Sequence, residues 1–203
     1  MPAKSEGVFI NVPFDRRYKK LFDALVFAVH DCGFRARGAR EQDDGSEIRL
    51  QKLYKIIGEC RYGIHDLSRV TLDTHNRLPR FNMPLELGIF LGAKRFGGVS
   101  QSRKSCLILE RDPHRYQIFC SDIGGQDVQA HHNDVASAVG AVRGWLQAAS
   151  RRGALRGARE MTGRYVQFRI ELPAICRAAG LDARDLTFLD YRTLVTEWIL
   201  AHE

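Results

Sequence analysis

The feature that most constrains this chain is an alternation. Short β-branched runs trade places with longer stretches whose apolar residues fall at helical spacing. Val8–Val12 (VFINV) is one such run, ended by Pro13. From Tyr18 to about Cys32, residues Leu21, Phe22, Leu25, Val26 and Val29 form a helical stripe that Gly33 closes. Phe34–Ala39 reads as a second strand and GAREQDDGS as a polar loop, with Ser46 placed to cap the next helix. That helix carries Ile48, Leu50, Leu53, Ile56 and Ile57 up to Gly58. Tyr62–Leu67 (YGIHDL) is a third strand, and residues 68–82 form a long polar connection. Pro84 stands in the first turn of a further helix, where its missing N–H costs nothing, and that helix runs to about Lys94. Ser105–Glu110 (SCLILE) is a fourth strand, residues 115–132 read as irregular strand and loop, and Asp134–Ala149 is an amphipathic helix. Strands alternating with helices of this length predict an α/β fold with a mainly parallel sheet flanked by helices.

The Gly/Arg-rich stretch 150–163 reads as a linker after an α/β domain over 1–149. Beyond it, the stripes in Tyr165–Ala179 and Asp185–His202 predict a C-terminal helical hairpin over 164–203, packed on the core or on a second subunit. No run approaches the ~20 apolar residues that span a bilayer. The opening MPAKSEG leads straight into a strand without a signal-peptide core, so a soluble cytoplasmic protein is expected. The five cysteines are scattered without a CxxC pair, which predicts reduced, structural thiols and neither a disulfide framework nor a zinc site. Cations outnumber acids by 31 to 24, and 24 of the 31 are arginine, the side chain suited to phosphate and carboxylate. They fall in short clusters (RRYKK at 16–20, RARGAR at 35–40, RRGALRGAR at 151–159) and not in the continuous basic stripe of a nucleic-acid binder. A small anionic partner is the better match, with no role at a membrane.

In an open parallel sheet, ligands bind beyond the carboxyl ends of the strands. That rule nominates Asn11–Asp15, Arg37–Asp43, Asp66–Arg69 and the loop feeding the helix at Pro84. Glu86 is the most informative residue, being the one charge in Met83–Ala93 (MPLELGIFLGA). A helix apolar on every side is expected to be buried between layers, and a lone carboxylate there must be paired, hydrogen-bonded or used. The reading favoured here is use, as a nucleophile or base. Gly88 and Gly92 are expected to let this helix approach the sheet closely. Asp66 is either a second carboxylate or the cap of the turn that follows, through Ser68. The loop after the first strand either contacts a nucleoside, with Phe14 stacking and Asn11 bonding, or is a Pro-led turn with Asp15 capping the next helix. His65–Asp66 lacks the second histidine cluster of a metal site, and His131–His132 reads as a solvated turn. No GxGxxG, GxxxxGK[ST] or GxSxG is present, which removes the dinucleotide fingerprint, the P-loop and the nucleophile elbow.

Three stretches resemble the nucleoside 2-deoxyribosyltransferases and the related nucleotide N-glycosidases. VFINVPFD (8–15) is similar to that family's opening strand and nucleoside loop. YGIHDLS (62–68) is similar to its strand ending in Asp, and LELGIFLGAK (85–94) to the helix that supplies its catalytic glutamate. The layout also resembles TIR-like domains, which share a flavodoxin-like, Rossmann-like sheet and a glutamate used on NAD. The likeness covers residues 8–110. It implies Glu86 as nucleophile at the anomeric carbon and Asp66 as the base-binding carboxylate. It also implies a nucleoside held by Asn11, Pro13, Phe14 and Asp15; a 5′-phosphate is expected to meet Arg37, Arg69 or Arg80 from their positions near strand or loop ends alone. Ser68 and Asn82 complete the expected substrate-binding set. The implied activity is cleavage of the base–sugar bond of a nucleotide or NAD, with hydrolysis expected ahead of transfer, and without cofactor or metal. Such enzymes serve in salvage or as nucleotide-depleting effectors in defence against phage, as homodimers or under a regulatory partner. The alternative is a non-catalytic, TIR-like nucleotide sensor or adaptor.

Overall fold

The computed structural model describes residues 6–13, 15–41, 45–70 and 79–203. Five parallel strands form one sheet in the order β2-β1-β3-β4-β5: β1 (Gly7–Asn11), β2 (Arg35–Arg37), β3 (Tyr62–Asp66), β4 (Ser105–Glu110) and β5 (Val128–Ala130). This is the flavodoxin-like order, in which the chain reverses its direction of travel across the sheet between β1 and β3. The helices are α1 (Lys19–Asp31), α2 (Arg49–Glu59), α3 (Asn82–Phe96), the short α4 (Val99–Ser102), α5 (Val135–Ser150), α6 (Ala158–Ala178) and α7 (Phe188–Ala201).

Alternation along the strands divides the core in two. Val8, Ile10, Val12, Tyr62, Ile64, Leu107 and Leu109 pack with α1 and α5 in one apolar cluster. Phe9 faces the other way with Leu53, Ile56 and Ile57 of α2 and Phe90 of α3. The larger cluster continues into α6 and α7, through Phe168, Leu172, Leu194 and Trp198. The C-terminal helices are therefore a further layer over α1 and α5, and α6 begins at Ala158, within the stretch that composition marks as linker.

Three local expectations differ from the structure. Helix α2 starts at Arg49, three residues past Ser46, with Ile48 at its N-cap and no side-chain cap. Helix α3 is not enclosed on all sides, since Leu85 is 56% and Phe96 87% exposed. Gly88 and Gly92 lie on its open side, where an added Cβ would meet nothing within 4 Å. The glycine that does allow close approach is Gly63 on β3, where a Cβ would stand 2.8 Å from Phe90 Cε2. Among the described residues no helix is long and apolar enough to cross a membrane.

Candidate active site

The carboxyl edge of the sheet at the β1–β3 switch point carries two separate polar groups, one on each face. On the α3 face, Asn11 ends β1 and its Nδ2 donates to the Met83 carbonyl in the first turn of α3, at 2.9 Å. The same amide lies 3.1 Å from His65 Nδ1. His65 is fully buried, and burial, helped by Lys104, lowers its imidazole to about 3, so the ring is neutral. Its edge meets Phe90 with centroids 5.0 Å apart. These contacts fix the first turns of α3 against β1 and β3.

Glu86 lies one turn into that anchored helix, between the buried Met83, Leu87 and Phe90, and is itself 6% exposed. Burial lifts its carboxyl to about 7, against a downward pull from Arg49 at the start of α2. No described residue makes a hydrogen bond or ion pair with it. The carboxylate is therefore desolvated and uncommitted, unlike the buried Asp31, which pairs with Arg164.

On the α1 face, Asp66 is completely enclosed. Its Oδ1 accepts the Ser68 N–H at 2.8 Å, and its Oδ2 accepts the Tyr18 hydroxyl at 2.5 Å. His131 Nε2 stands 3.0 Å from the same Oδ2, in ion-pair range but without hydrogen-bond alignment. The Asn133 N–H donates to His131 Nδ1, leaving the ring proton of the neutral tautomer on the nitrogen that faces Asp66. His131 is thus a buried member of this cluster, and the expected solvated turn is corrected. The cause is β5, whose three residues VQA carry no apolar run that sequence could flag, yet place His131 beside Glu110 at the sheet edge. Glu110, also fully buried, takes the Arg115 guanidinium at 2.9 Å. Neither Tyr18 nor Glu110 was nominated, because each reads as an ordinary element end.

The expected site residues do not all converge. Asn11 meets the helix that bears Glu86, but alternation sends Asp66 to the opposite face, bound to Ser68 in the turn that follows. Pro13 is buried at the end of β1. Asp15 Oδ1 accepts the Arg17 and Tyr18 N–H groups at the entrance to α1, which is its capping alternative. Arg69 pairs with Asp15 at 3.4 Å. Arg37 is taken up by Glu41 and Glu59, at 2.5 and 3.0 Å, and is not directed at an open site. Arg80 and Asn82 are exposed just before and at the start of α3. Phe14 lies outside the described residues. No group of described His, Cys, Asp and Glu residues is arranged to hold a metal. Neither a family model, nor a curated protein, nor a solved structure matches this chain.

Proposed function

We propose that this protein is an N-glycosidase that cleaves the base–sugar bond of a nucleotide or NAD, with Glu86 as nucleophile. The observation that carries this reading is the state of Glu86: buried, without a hydrogen bond or ion pair to any described residue, at the carboxyl edge of a flavodoxin-order sheet. A structural glutamate in that position would be bonded to backbone N–H groups or an arginine. In the proposed step a Glu86 oxygen bonds to C1′ as the C1′–N bond breaks, and the electron pair leaves with the base. Nicotinamide departs neutral, whereas other bases take up a proton. Water then opens the glycosyl ester, returning free Glu86 and the sugar. Asn11 acts as a positioning residue through its bond to Met83. The buried and half-buried thiols, none of them paired, suit the reducing cytoplasm.

Incubation of wild type and Glu86→Gln with NAD, NMPs and dNMPs, followed by chromatography, tests this. Free base is expected from the wild type, with release by the folded variant at least ~10³-fold slower, in line with loss of the nucleophile. Binding of nucleotide by both without any product would instead favour a sensor or adaptor.

A further inference from the structure

Helix α3 is apolar on two sides and covered on one. Between Phe81 and Ala93 the sequence holds a single charge, Glu86, and that side chain is buried. Met83, Leu87 and Phe90 face inward with it. Ile89 and Ala93 pack toward the α2 part of the core, and Leu91 toward the part that holds Leu67 and Tyr116. What is left is an outward stripe of residues three or four apart: Phe81 at the N-cap, Leu85, Gly88, Gly92 and Phe96, with Val99 following at the start of α4. Phe81 is 56% and Val99 78% exposed, beside the open Leu85 and Phe96. A surface helix of a globular protein carries polar side chains on its outer face. This stripe carries none.

The two glycines sharpen the point. Inside a helix glycine is unfavourable, and it is kept where another backbone must come close. Within one copy neither Gly88 nor Gly92 has such a neighbour, since an added Cβ would meet nothing within 4 Å. The order along the stripe is large, large, glycine, glycine, large, large, which reads the same from either end. A face of that kind is self-complementary under a two-fold axis, where residue i of one copy meets residue j of the other and j meets i. With the axis near Phe90, Leu85 of each copy lies against Phe96 of the other, and Gly88 lies against Gly92. The centre is then free of side chains, and the leucine and phenylalanine at its two ends make the contact. By side-chain size, Phe81, Leu85, Phe96 and Val99 alone leave about 500 Å² of apolar surface open on each copy. A specific interface takes about 800 Å² from each partner. The exposed Ile48, Leu50 and Tyr54 of α2, on the same side of the sheet, can supply the remainder.

We propose that this face docks a second copy of the chain, with α3 packed on α3 in antiparallel two-fold pairing. The pairing is independent of the glycosidase reading, because Glu86 is on the inner side of α3 and takes no part in the contact. It also covers from outside the helix that β1 and β3 hold from within.

Sedimentation analysis of the full chain at micromolar concentrations tests this, with wild type, Leu85→Glu, Phe96→Lys and, as a control on the exposed face of α6, Ile170→Glu. All three substitutions fall on exposed positions, and thermal melting confirms that each variant is folded. Wild type and Ile170→Glu are expected to be dimers, and Leu85→Glu and Phe96→Lys each to dissociate at least tenfold more readily. Mixed together, those two variants are expected to dimerise with each other, because one of their two contacts becomes an ion pair and the other stays native. Side-by-side parallel pairing would give no such rescue. A monomeric wild type, a dimer that persists in Leu85→Glu, an equal loss in Ile170→Glu, or a mixture that stays monomeric overturns the proposed pairing. Salt gives a second readout. Arg80 before the stripe and Lys94 and Arg95 at its end are exposed cations, so antiparallel pairing brings like charges toward each other at both ends. Raising salt from ~50 to ~500 mM is expected to tighten the dimer as that repulsion is screened. A dimer that loosens with salt is held by opposite charges elsewhere, and the apolar stripe is then not its contact.

Discussion

Burial lifts the Glu86 carboxyl from the ordinary 4.5 to about 7, even with the opposing pull of Arg49. In the unfolded chain the group returns to its ordinary value, so between the two values the unfolded state releases a proton that the native state keeps. Stability is then full below about pH 4.5, falls as pH rises through 7, and levels off once both states are ionised, at a cost of about 3 kcal/mol. Glutamine cannot ionise. Glu86→Gln is therefore expected to match wild type at pH 4 and to exceed it at pH 8.5 by up to that amount, as read by urea unfolding at the two pH values. Under the proposed function turnover runs the opposite way, because the proposed nucleophile must be ionised: wild-type kcat/KM is expected to climb with pH through about 7. A stability difference between the two proteins that is the same at both pH values would mean a solvated carboxyl and would remove this account. Glu86 was legible because a single charge in eleven otherwise apolar or glycine residues has few structural explanations. His131 was not, because nothing local marks a histidine whose burial depends on a three-residue strand and on a tyrosine 113 positions away.

Helix α3 takes its depth from β3. Phe90 lies over Gly63, where a methyl group would come within 2.8 Å of the ring and 2.9 Å of His65 Nε2. Gly63→Ala must push α3 outward, at about 1–3 kcal/mol for an overpacked contact, and Glu86 moves with it. Turnover is expected to fall by more than the unfolded fraction explains, which thermal melting and kcat measured on one preparation will show. Gly92→Ala is the contrasting change: with open space around the position, relief of helical glycine is expected to stabilise by about 0.5–1 kcal/mol and to leave turnover alone. The sequence reading assigned close approach to Gly88 and Gly92 because their spacing puts them on one helix face. Spacing cannot say which face looks inward when apolar residues surround the helix, and α3 is such a case. Where an element carries a clear periodicity the reading was close: β4 matches end to end, and β1, β3 and α5 differ by a residue or so. It was poorest where structure depends on partners, as at β5 and at the uncapped start of α2.

The outermost layer, α6 and α7, shares one apolar cluster with the sheet, α1 and α5. From Ala24 to Val29 every residue of α1 is fully buried, which a two-layer arrangement would not produce on a helix at the surface. The second covering comes from α6 and α7. The Phe27 ring meets Tyr165 and Phe168 at 5.5 Å and Trp198 at 5.7 Å, and the Tyr191 hydroxyl donates to the Asp23 carbonyl. Arg164 and Arg169 reach back to Asp31 and Asp23, the two acids that α1 turns toward this layer. Glycine and arginine between 150 and 163 look like a domain boundary in composition, yet the apolar cluster runs across it without a break. Trp198→Ala is accordingly expected to cost about 3–5 kcal/mol, as for a large buried aromatic, and the full chain to melt in a single transition. A chain ending at Arg156 would expose Phe27 and its neighbours, and is expected to bind a hydrophobic dye and lose its sharp melting transition. If that shortened chain melts cooperatively, the C-terminal helices are an appendage. If it does not, the helices belong to the same folding unit as the sheet and the helix that bears Glu86.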